Sequence, residues 1–517
     1  MDLTLLADGY VRLGGGRAFG IPGGGPSLAL VDALEKRGVP FLTTGHETTA
    51  ALMAGAFARQ SRQPALAITI KGPGFMNLAP GLLCNAYEGY PMLSLAEAYG
   101  SAVGARRHKW LDHRQAAGGF LKAHHFLAEG GVTLEECWNQ ARAEFPGPVH
   151  ADLASGSSAP ALAGPNLLNS DDPAPVMAAL RRATRPLLVA GSLALRAPWR
   201  KLLPTLQIPV FTTPAAKGAL DERLPFAAGV YTGDGKPLTP EKRIMPQADF
   251  VLGLGLRAGE VLNPAPPHAN YFCVETLALK NRALFPPPAP LANQLFLAEE
   301  VIAEILGALR RGSWGEEAVA ASRAAMRQRL CESPWSPGAV TAMVQEVFQG
   351  AAHVLDTGNF TVVAEHLLQV ADERAVLGTP NGRFMGAGIG YALGAALAEP
   401  QRPVVLWIGD GGIRAFFSEL TLAAENRLRL LVLVMKDGFF GSVRGRALTQ
   451  GWTQAPLVVP DRGLARLAAH LGFSSGCARN AGELDGFLQS WARDSGPALL
   501  ECEFNADDYG RWADLLR

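Results

Sequence analysis

The chain has 517 residues, enough for about three domains of roughly 150 residues each. Its 47 basic and 47 acidic side chains leave no net charge, which argues against nucleic acid and anionic membranes as partners. Because the six cysteines are scattered, and neither a leader nor an apolar run of about 18 residues is visible, we expect a cytoplasmic protein without disulfides, zinc sites or membrane spans.

Two stretches interrupt the regular patterns of the chain. Residues 154–175 are rich in Ala, Ser, Gly and Pro, and residues 331–338 break a preceding helical pattern. We therefore expect domains at residues 1–160, 175–325 and 335–517. Each of them repeats a short apolar strand, a Gly-containing turn and a helix, which predicts parallel sheets and three doubly wound α/β domains.

The predicted strands matter because parallel sheets bind ligands beyond the carboxyl ends of their strands. Glycine-rich turns there let phosphate groups approach backbone N–H groups at helix N-termini. In chain order, the predicted strands, some quoted with the turn that follows them, lie within residues 64–70, 91–97, 185–192, 208–214, 249–255, 353–359, 402–412 and 428–438.

The first predicted domain carries a glycine run and a glutamate at the starts of helices. Gly23 and Gly24 follow an apolar segment, and such a run either admits a ligand or forms an ordinary strand-to-helix turn. Glu47 precedes an Ala-rich apolar helix. It is either a first-turn acid favoured by the helix dipole or a catalytic carboxylate in a dry pocket, and taken alone the first interpretation is favoured.

The most informative stretch is 404–442 in the third predicted domain. Asp410 follows one predicted strand and Asp437 follows the next, with glycines beside each. Because the two strands are joined by one crossover, we expect the two carboxylates to be neighbours. Hard oxygen ligands beside a phosphate site suit magnesium, although Asp-Gly pairs also form ordinary tight turns.

The order of motifs resembles the thiamin-diphosphate-dependent enzymes of the acetolactate synthase and benzoylformate decarboxylase type. No single motif is specific, but several in order at the family's spacing are, and the resemblance covers nearly the whole chain. The motifs are Pro-Gly-Gly at 22–24, His-Glu at 46–47, Gly-Pro-Gly-x-x-Asn at 72–77, Met-Gly-x-Gly at 385–388 and Gly-Asp-Gly at 409–411, together with residues 121–126, 147–153, 212–218 and 496–504.

The resemblance implies a pyrimidine-binding domain, a middle domain and a diphosphate-binding domain, with the cofactor between two subunits of a homodimer or homotetramer. In the family a residue matching Glu47 activates the aminopyrimidine ring, a residue matching Met385 supports the bent cofactor, and the carbonyl at the place of Arg383 accepts its amino group. Asp410, Asp437 and the carbonyl of Phe439 match the Mg²⁺ ligands. Further cofactor contacts are expected from Gly23, Gly24, Pro73, Asn77, Gly358, Asn359, Gly411 and Gly412.

Several positions depart from the family pattern. Asp437 stands where an Asn is usual, and we expect Lys436 beside it to offset the added charge. Lys71 stands where Ser or Ala is common, so it either faces the substrate or is a lysine extending from a strand end into solvent. His46 is a candidate for the pocket, whereas a structural role is favoured for the pair His124-His125.

The implied function is decarboxylation of a 2-oxo acid by thiamin diphosphate and Mg²⁺, with transfer of the resulting enamine to a carbonyl acceptor. Two alternatives stay open: simple decarboxylation to an aldehyde, and a paralogue that has lost the chemistry and serves in binding or regulation. Because residues 253–259 lack the G-x-G-x-x-G fingerprint, FAD is not expected.

Overall fold

The computed structural model describes residues 2–99, 107–127, 132–143, 145–154, 170–260, 262–263, 267–276, 292–310 and 313–517. They form three six-stranded sheets in which every strand pair is parallel, with helices between the strands. This confirms the three doubly wound α/β units predicted from the strand-turn-helix rhythm. No helix in the described ranges is both long and apolar enough to cross a membrane.

The first sheet has the strand order β2-β1-β3-β4-β6-β5. Its strands are β1 Arg17–Ile21, β2 Phe41–Thr43, β3 Ala65–Thr69, β4 Met92–Glu97, β5 Ala123–Phe126 and β6 Pro148–Leu153. Its helices are α1 Leu3–Arg12, α2 Pro26–Glu35, α3 Glu47–Ser61, α4 Pro73–Glu88, α5 His113–Ala117 and α6 Leu134–Arg142.

The second sheet has the order β12-β11-β10-β7-β8-β9. The strands are β7 Pro186–Ala190, β8 Val210–Thr212, β9 Ala227–Val230, β10 Phe250–Leu254, β11 Tyr271–Thr276 and β12 Gln294–Leu297. The α-helices are α7 Ala174–Arg182, α8 Pro240–Ile244 and α9 Glu299–Leu309. Most of the predicted linker before α7, residues 155–169, lies outside the described residues.

The third sheet has the order β14-β13-β15-β16-β18-β17 and follows helix α10 Glu316–Leu330. Its strands are β13 Ala352–Leu355, β14 Val376–Gly378, β15 Val404–Gly409, β16 Leu430–Lys436, β17 Ser474–Ala478 and β18 Ala498–Glu503. Its helices are α11 Pro337–Val347, α12 Asn359–Leu367, α13 Ala387–Ala398, α14 Thr421–Glu425, α15 Gly441–Gln450, α16 Leu464–His470, α17 Ala481–Ala492 and α18 Ala506–Asp514.

Helices α3 and α13 join the first sheet to the third. Both helices are Ala- and Gly-rich and almost wholly buried, and they belong to one hydrophobic cluster that spans both sheets. A Cβ added at Gly390 would lie 2.6 Å from Leu52, and one added at Gly394 would lie 2.4 Å from the carbonyl oxygen of Met53. Small residues therefore set the close approach of the two helices.

Candidate active site

Glu47 begins helix α3, and its side chain is buried. Its Oε2 accepts a hydrogen bond of 3.0 Å from Asn77 Nδ2, in the second turn of α4. A Cβ added at Gly74 would lie 3.3 Å from Glu47 Oε1. The Gly-Pro-Gly-x-x-Asn motif thus packs directly on the predicted catalytic carboxylate.

His46 is the N-cap residue of α3. Its Nδ1 accepts the N–H of Thr48 at 3.1 Å, and its ring meets Phe416 of the third domain edge to face at 5.9 Å. Nearby, Glu419 Oε2 accepts the N–H of Gly45 at 3.0 Å, and burial raises the pKa of Glu419. Nδ1 of His46 therefore caps the N-terminus of α3.

Lys71 is engaged by an acid that the sequence analysis did not identify. Its Nζ lies 2.9 Å from Glu97 Oε2 and 5.2 Å from the centre of the Tyr99 ring. Glu97 also accepts from the hydroxyl of Ser27 at 2.6 Å. Burial raises the pKa of Glu97, but hydrogen bonds from Lys71 and Ser27 outweigh this effect and hold it below the ordinary value.

The same acid lies against the first glycine turn. A Cβ added at Gly23 would lie 2.7 Å from Ile70 and 2.9 Å from Glu97 Oε1, whereas one added at Gly24 would meet open space. A side chain at Gly23 would therefore require Ile70 and Glu97 to shift. Gly24 leaves room beside the pair of Lys71 and Glu97.

Asp410 and Asp437 follow neighbouring strands, as predicted. Asp410 accepts the N–H groups of Gly411 and Gly438 at 3.0 and 2.8 Å, and Asp437 accepts that of Phe439 at 3.1 Å. Burial, together with the charge of Asp437, raises the pKa of Asp410 to about 7. Asp410 therefore gives up its proton less readily than an exposed aspartate, and the neighbouring Asp437 carboxylate contributes to this effect.

The expectation that Lys436 offsets this charge needs correction. Its ammonium lies 2.8 Å from Glu501, 3.1 Å from Glu503 and 2.9 Å from Asp461. Lys436 is the last residue of β16, whereas Asp437 lies in the turn that follows and accepts the N–H of Phe439. Lys436 lowers the pKa of Asp410 only in part, and the net effect on that pKa is upward.

Glycines make room around the two aspartates. A Cβ added at Gly411 would lie 2.6 Å from the Phe440 ring, and one added at Gly412 would lie 2.6 Å from Asp356 Oδ2. Gly358 precedes α12 without a side-chain cap. A Cβ added at Gly441 would lie 3.2 Å from Asn359 Nδ2 and 2.5 Å from Asp437, so the predicted Gly358-Asn359 turn borders the carboxylate pair.

Asp356 connects this turn to the Met385 motif and was missed in the sequence analysis, although it follows a predicted strand. It is fully buried and accepts the N–H groups of Gly386 and Gly388 at 2.9 and 3.1 Å. Met385 is 46% exposed, and its Cγ would lie 3.4 Å from a Cβ at Gly412. Arg383 has a positive φ of 49°, an uncommon value for a residue with a side chain.

The chemistry of Asp410 and Asp437 fits a divalent cation. Two adjacent carboxylates in a pocket that raises the pKa of Asp410 provide the hard oxygen ligands that Mg²⁺ prefers. Side chains at Gly411 and Gly412 would clash with the ring of Phe440 and the carboxylate of Asp356, so the turn after Asp410 requires small residues.

Comparison with protein families agrees with this geometry. Residues 4–113 match the N-terminal TPP binding domain of thiamine pyrophosphate enzymes, residues 174–275 match their central domain, and residues 356–502 match their C-terminal TPP binding domain. The three matches follow the order of the three sheets.

Similar curated proteins cover almost the full chain. The acetolactate synthase isozyme 1 large subunit of Escherichia coli is 23% identical over 95% of this chain and 91% of its own length. A probable 2-ketoarginine decarboxylase of Pseudomonas aeruginosa is 27% identical over 93% and 90%. The acetolactate synthase of Bacillus subtilis is 23% identical over 98% and 93%.

Proposed function

We propose a reaction from the premise that the chain belongs to the thiamin-diphosphate-dependent enzymes, whose three domains it matches in order. The protein decarboxylates a 2-oxo acid and joins the remaining carbon fragment to a carbonyl acceptor. The observation that carries this proposal is the buried Glu47 carboxylate, held by Asn77 and accompanied by the Asp410 and Asp437 pair. The similarity to acetolactate synthases supports carbon–carbon bond formation.

Thiamin diphosphate, when bound, supplies the nucleophilic carbon and takes up the electrons released with CO2. Asn77 orients Glu47 through Oε2 and leaves Oε1 to hold or move a proton at the cofactor's aminopyrimidine. Asp410, Asp437 and the carbonyl of Phe439 would hold Mg²⁺, and Gly411, Gly412, Gly358 and Asn359 would contact the diphosphate. Arg383 and Met385, together with Gly23, Gly24 and Pro73, would orient the ring system of the cofactor.

Simple decarboxylation to an aldehyde is the second candidate, since one relative carries the name of a 2-ketoarginine decarboxylase. The two reactions are separated by incubating the protein with thiamin diphosphate, Mg²⁺ and a panel of 2-oxo acids, and identifying the products by mass. Products larger than the aldehyde indicate carboligation, and aldehydes alone indicate decarboxylation. CO2 release from none of the acids would favour a paralogue without catalysis.

The active form proposed here is a cytoplasmic homodimer or homotetramer. Three large apolar side chains near the turns of the third domain are exposed in the single chain, and a second subunit that covers them would account for their exposure. They are Met385, Val443 and Trp452, which are 46%, 56% and 57% exposed. Light scattering coupled to size-exclusion chromatography measures the assembly. A monomer with full activity would contradict the proposal.

Lys71 is proposed to recognise an anionic group of the substrate beside the open space at Gly24. Replacing Lys71 by Met should leave cofactor affinity unchanged and lower kcat/KM by about 10- to 100-fold, the loss of a charged hydrogen bond worth about 1.5–3 kcal/mol. Because this change also leaves Glu97 unpaired, the double variant Lys71→Met/Glu97→Gln is the control. Recovery of kcat/KM in the double variant would show that only the ion pair mattered.

The affinity for Mg²⁺ should depend on pH. The pKa of Asp410 is raised to about 7, so below pH 7 the cation has to displace a proton from Asp410. We expect the dissociation constant to fall by up to about tenfold per pH unit between pH 5 and 7 and to level off above pH 8. Calorimetry in buffers of different ionisation enthalpy counts the proton released. Asp437→Asn removes the neighbouring charge but leaves Asp410 buried, so the affinity should level off at a lower pH in this variant. A profile that levels off at the same pH in both proteins would show that Asp437 does not contribute to the raised pKa of Asp410.

A further inference from the structure

Three histidines surround one carboxylate in the first domain, outside the predicted cofactor contacts. Asp152 Oδ1 lies 2.7 Å from His113 Nδ1 and 3.2 Å from His150 Nε2, and Asp152 Oδ2 lies 2.9 Å from His124 Nε2. All four side chains are at most 3% exposed. Burial raises the pKa of Asp152, but the three hydrogen bonds outweigh it and keep the carboxylate charged.

The topology of the first sheet brings this cluster together. His124 of β5 pairs in register with His150 of β6, and His150 pairs with Ser94 of β4, so the three side chains share one face. Asp152 is two residues beyond His150 and lies on the same face. His113 arrives from α5, where its ring stacks on Phe75 at 4.2 Å.

His113 also reaches the turn before α4. Its Nε2 accepts the N–H of Gly72 at 3.1 Å. Gly72 has a positive φ of 63°. A Cβ added there would lie 2.4 Å from the carbonyl oxygen of Lys109, so the turn packs closely against the 107–113 segment. Gly72 is the N-cap residue of α4, and because it has no side chain it makes no capping hydrogen bond of its own.

The bond from Gly72 fixes the tautomer of His113. Nε2 accepts a hydrogen bond and therefore carries the lone pair, so the proton of the neutral ring is on Nδ1 and is donated to Asp152. Three histidines and an aspartate otherwise resemble a transition-metal site. A metal on Nδ1 of His113 would place the proton on Nε2, against the N–H of Gly72, so the contacts favour a hydrogen-bonded network.

We propose that His113, oriented by Asp152, is a positioning residue for the Glu47 carboxylate. The path has two steps: His113 fixes Gly72 at the start of α4, and the first two turns of α4 carry Gly74 and Asn77 against Glu47. A shift of α4 along its axis would lengthen the bond of 3.0 Å between Asn77 and Glu47. The catalytic consequence rests on the proposed function, whereas the fixing of Gly72 does not.

The experiment compares His113→Phe, which keeps a ring against Phe75 but removes the acceptor, with His113→Gln, whose Oε1 reaches the place of Nε2. Hydrogen–deuterium exchange by mass spectrometry on cofactor-free protein follows the backbone amide of Gly72. The next residue, Pro73, has no backbone N–H and adds no signal of its own. We expect its protection to be lost in His113→Phe and kept in His113→Gln. In protein loaded with thiamin diphosphate, proton exchange at the thiazolium carbon should slow by about tenfold or more in His113→Phe and stay within about threefold in His113→Gln.

His125→Phe is the matched control, because His125 is also buried but bonds Gln140 at 2.7 Å and not the turn. Both readouts should be unchanged in it. Protection of Gly72 that persists in His113→Phe would overturn the proposal, as would loss of protection with unchanged exchange at the cofactor. One equivalent of zinc or iron in the purified protein that His113→Phe removes would establish a metal site instead. Absence of cofactor exchange in the unmodified protein, with the Gly72 pattern intact, would contradict the proposed function alone.

Discussion

Replacing Glu47 by Gln is expected to slow proton exchange at the thiazolium carbon of bound cofactor by about 10²-fold or more, the usual range for a positioned acid–base group. Gln keeps the size of Glu, and its Oε1 can accept the hydrogen bond from Asn77, but it cannot take up a proton. The fold should survive, because an amide is easier to bury than a carboxylate. Exchange in deuterated buffer, followed by acid quenching and NMR, measures this step without knowledge of the substrate.

Glu419→Gln is the matched control for this measurement. Glu419 is also a buried glutamate near the start of α3, where it accepts the N–H of Gly45, so it tests whether any loss of charge there slows the reaction. We expect nearly unchanged exchange in Glu419→Gln. Rapid exchange in Glu47→Gln would exclude Glu47 as the proton-transfer group.

Replacing Asp410 by Ala is expected to abolish Mg²⁺-dependent binding of thiamin diphosphate. Asp410 is one of two side-chain ligands proposed for the cation, and it also accepts the N–H groups of Gly411 and Gly438, so its loss removes a ligand and loosens both turns. Titration calorimetry with and without Mg²⁺ should show an affinity at least about 10²-fold weaker, close to that of the unmodified protein in EDTA.

Two variants serve as controls for the effect of Asp410→Ala on cofactor binding. Asp437→Asn keeps an oxygen ligand and restores the amide usual in the family, so it should still bind the cofactor with Mg²⁺. Asp461→Ala removes an exposed acid that contacts Lys436 and should leave binding unchanged. Equal cofactor affinity in Asp410→Ala and the unmodified protein would remove Asp410 from the site.

The third sheet illustrates what the sequence could predict. Its central strands β15 and β16 are continuous apolar runs ending in Gly-Asp and Lys-Asp, and one crossover joins them, so the meeting of Asp410 and Asp437 followed from local pattern alone. Glu47 was different, because its local pattern favoured an ordinary first-turn acid. Its assignment came from the order of motifs along the chain.

The contacts that the sequence did not reveal join residues far apart in the chain. Glu97 meets Lys71, and Asp152 gathers three histidines from different elements, which depends on strand order and register. Lys436 was assigned to Asp437 because it is next to it in sequence. Its partners are instead two residues of β18 and a loop acid, which only the sheet topology brings near.

The engagement of Lys436 by three other acids bears on the order in which a working enzyme is loaded. With Lys436 engaged by these acids and Arg444, the cation that lowers the pKa of Asp437, paired with Asp507, the proposed site of Asp410 and Asp437 should bind polyphosphates poorly until its own cation is present. Metal-free protein should thus discriminate against ATP and free pyrophosphate as strongly as against the cofactor. Depletion of magnesium should therefore release any diphosphate bound at this proposed site. The return of magnesium should restore binding of the metal-bound diphosphate that the surrounding turns fit best.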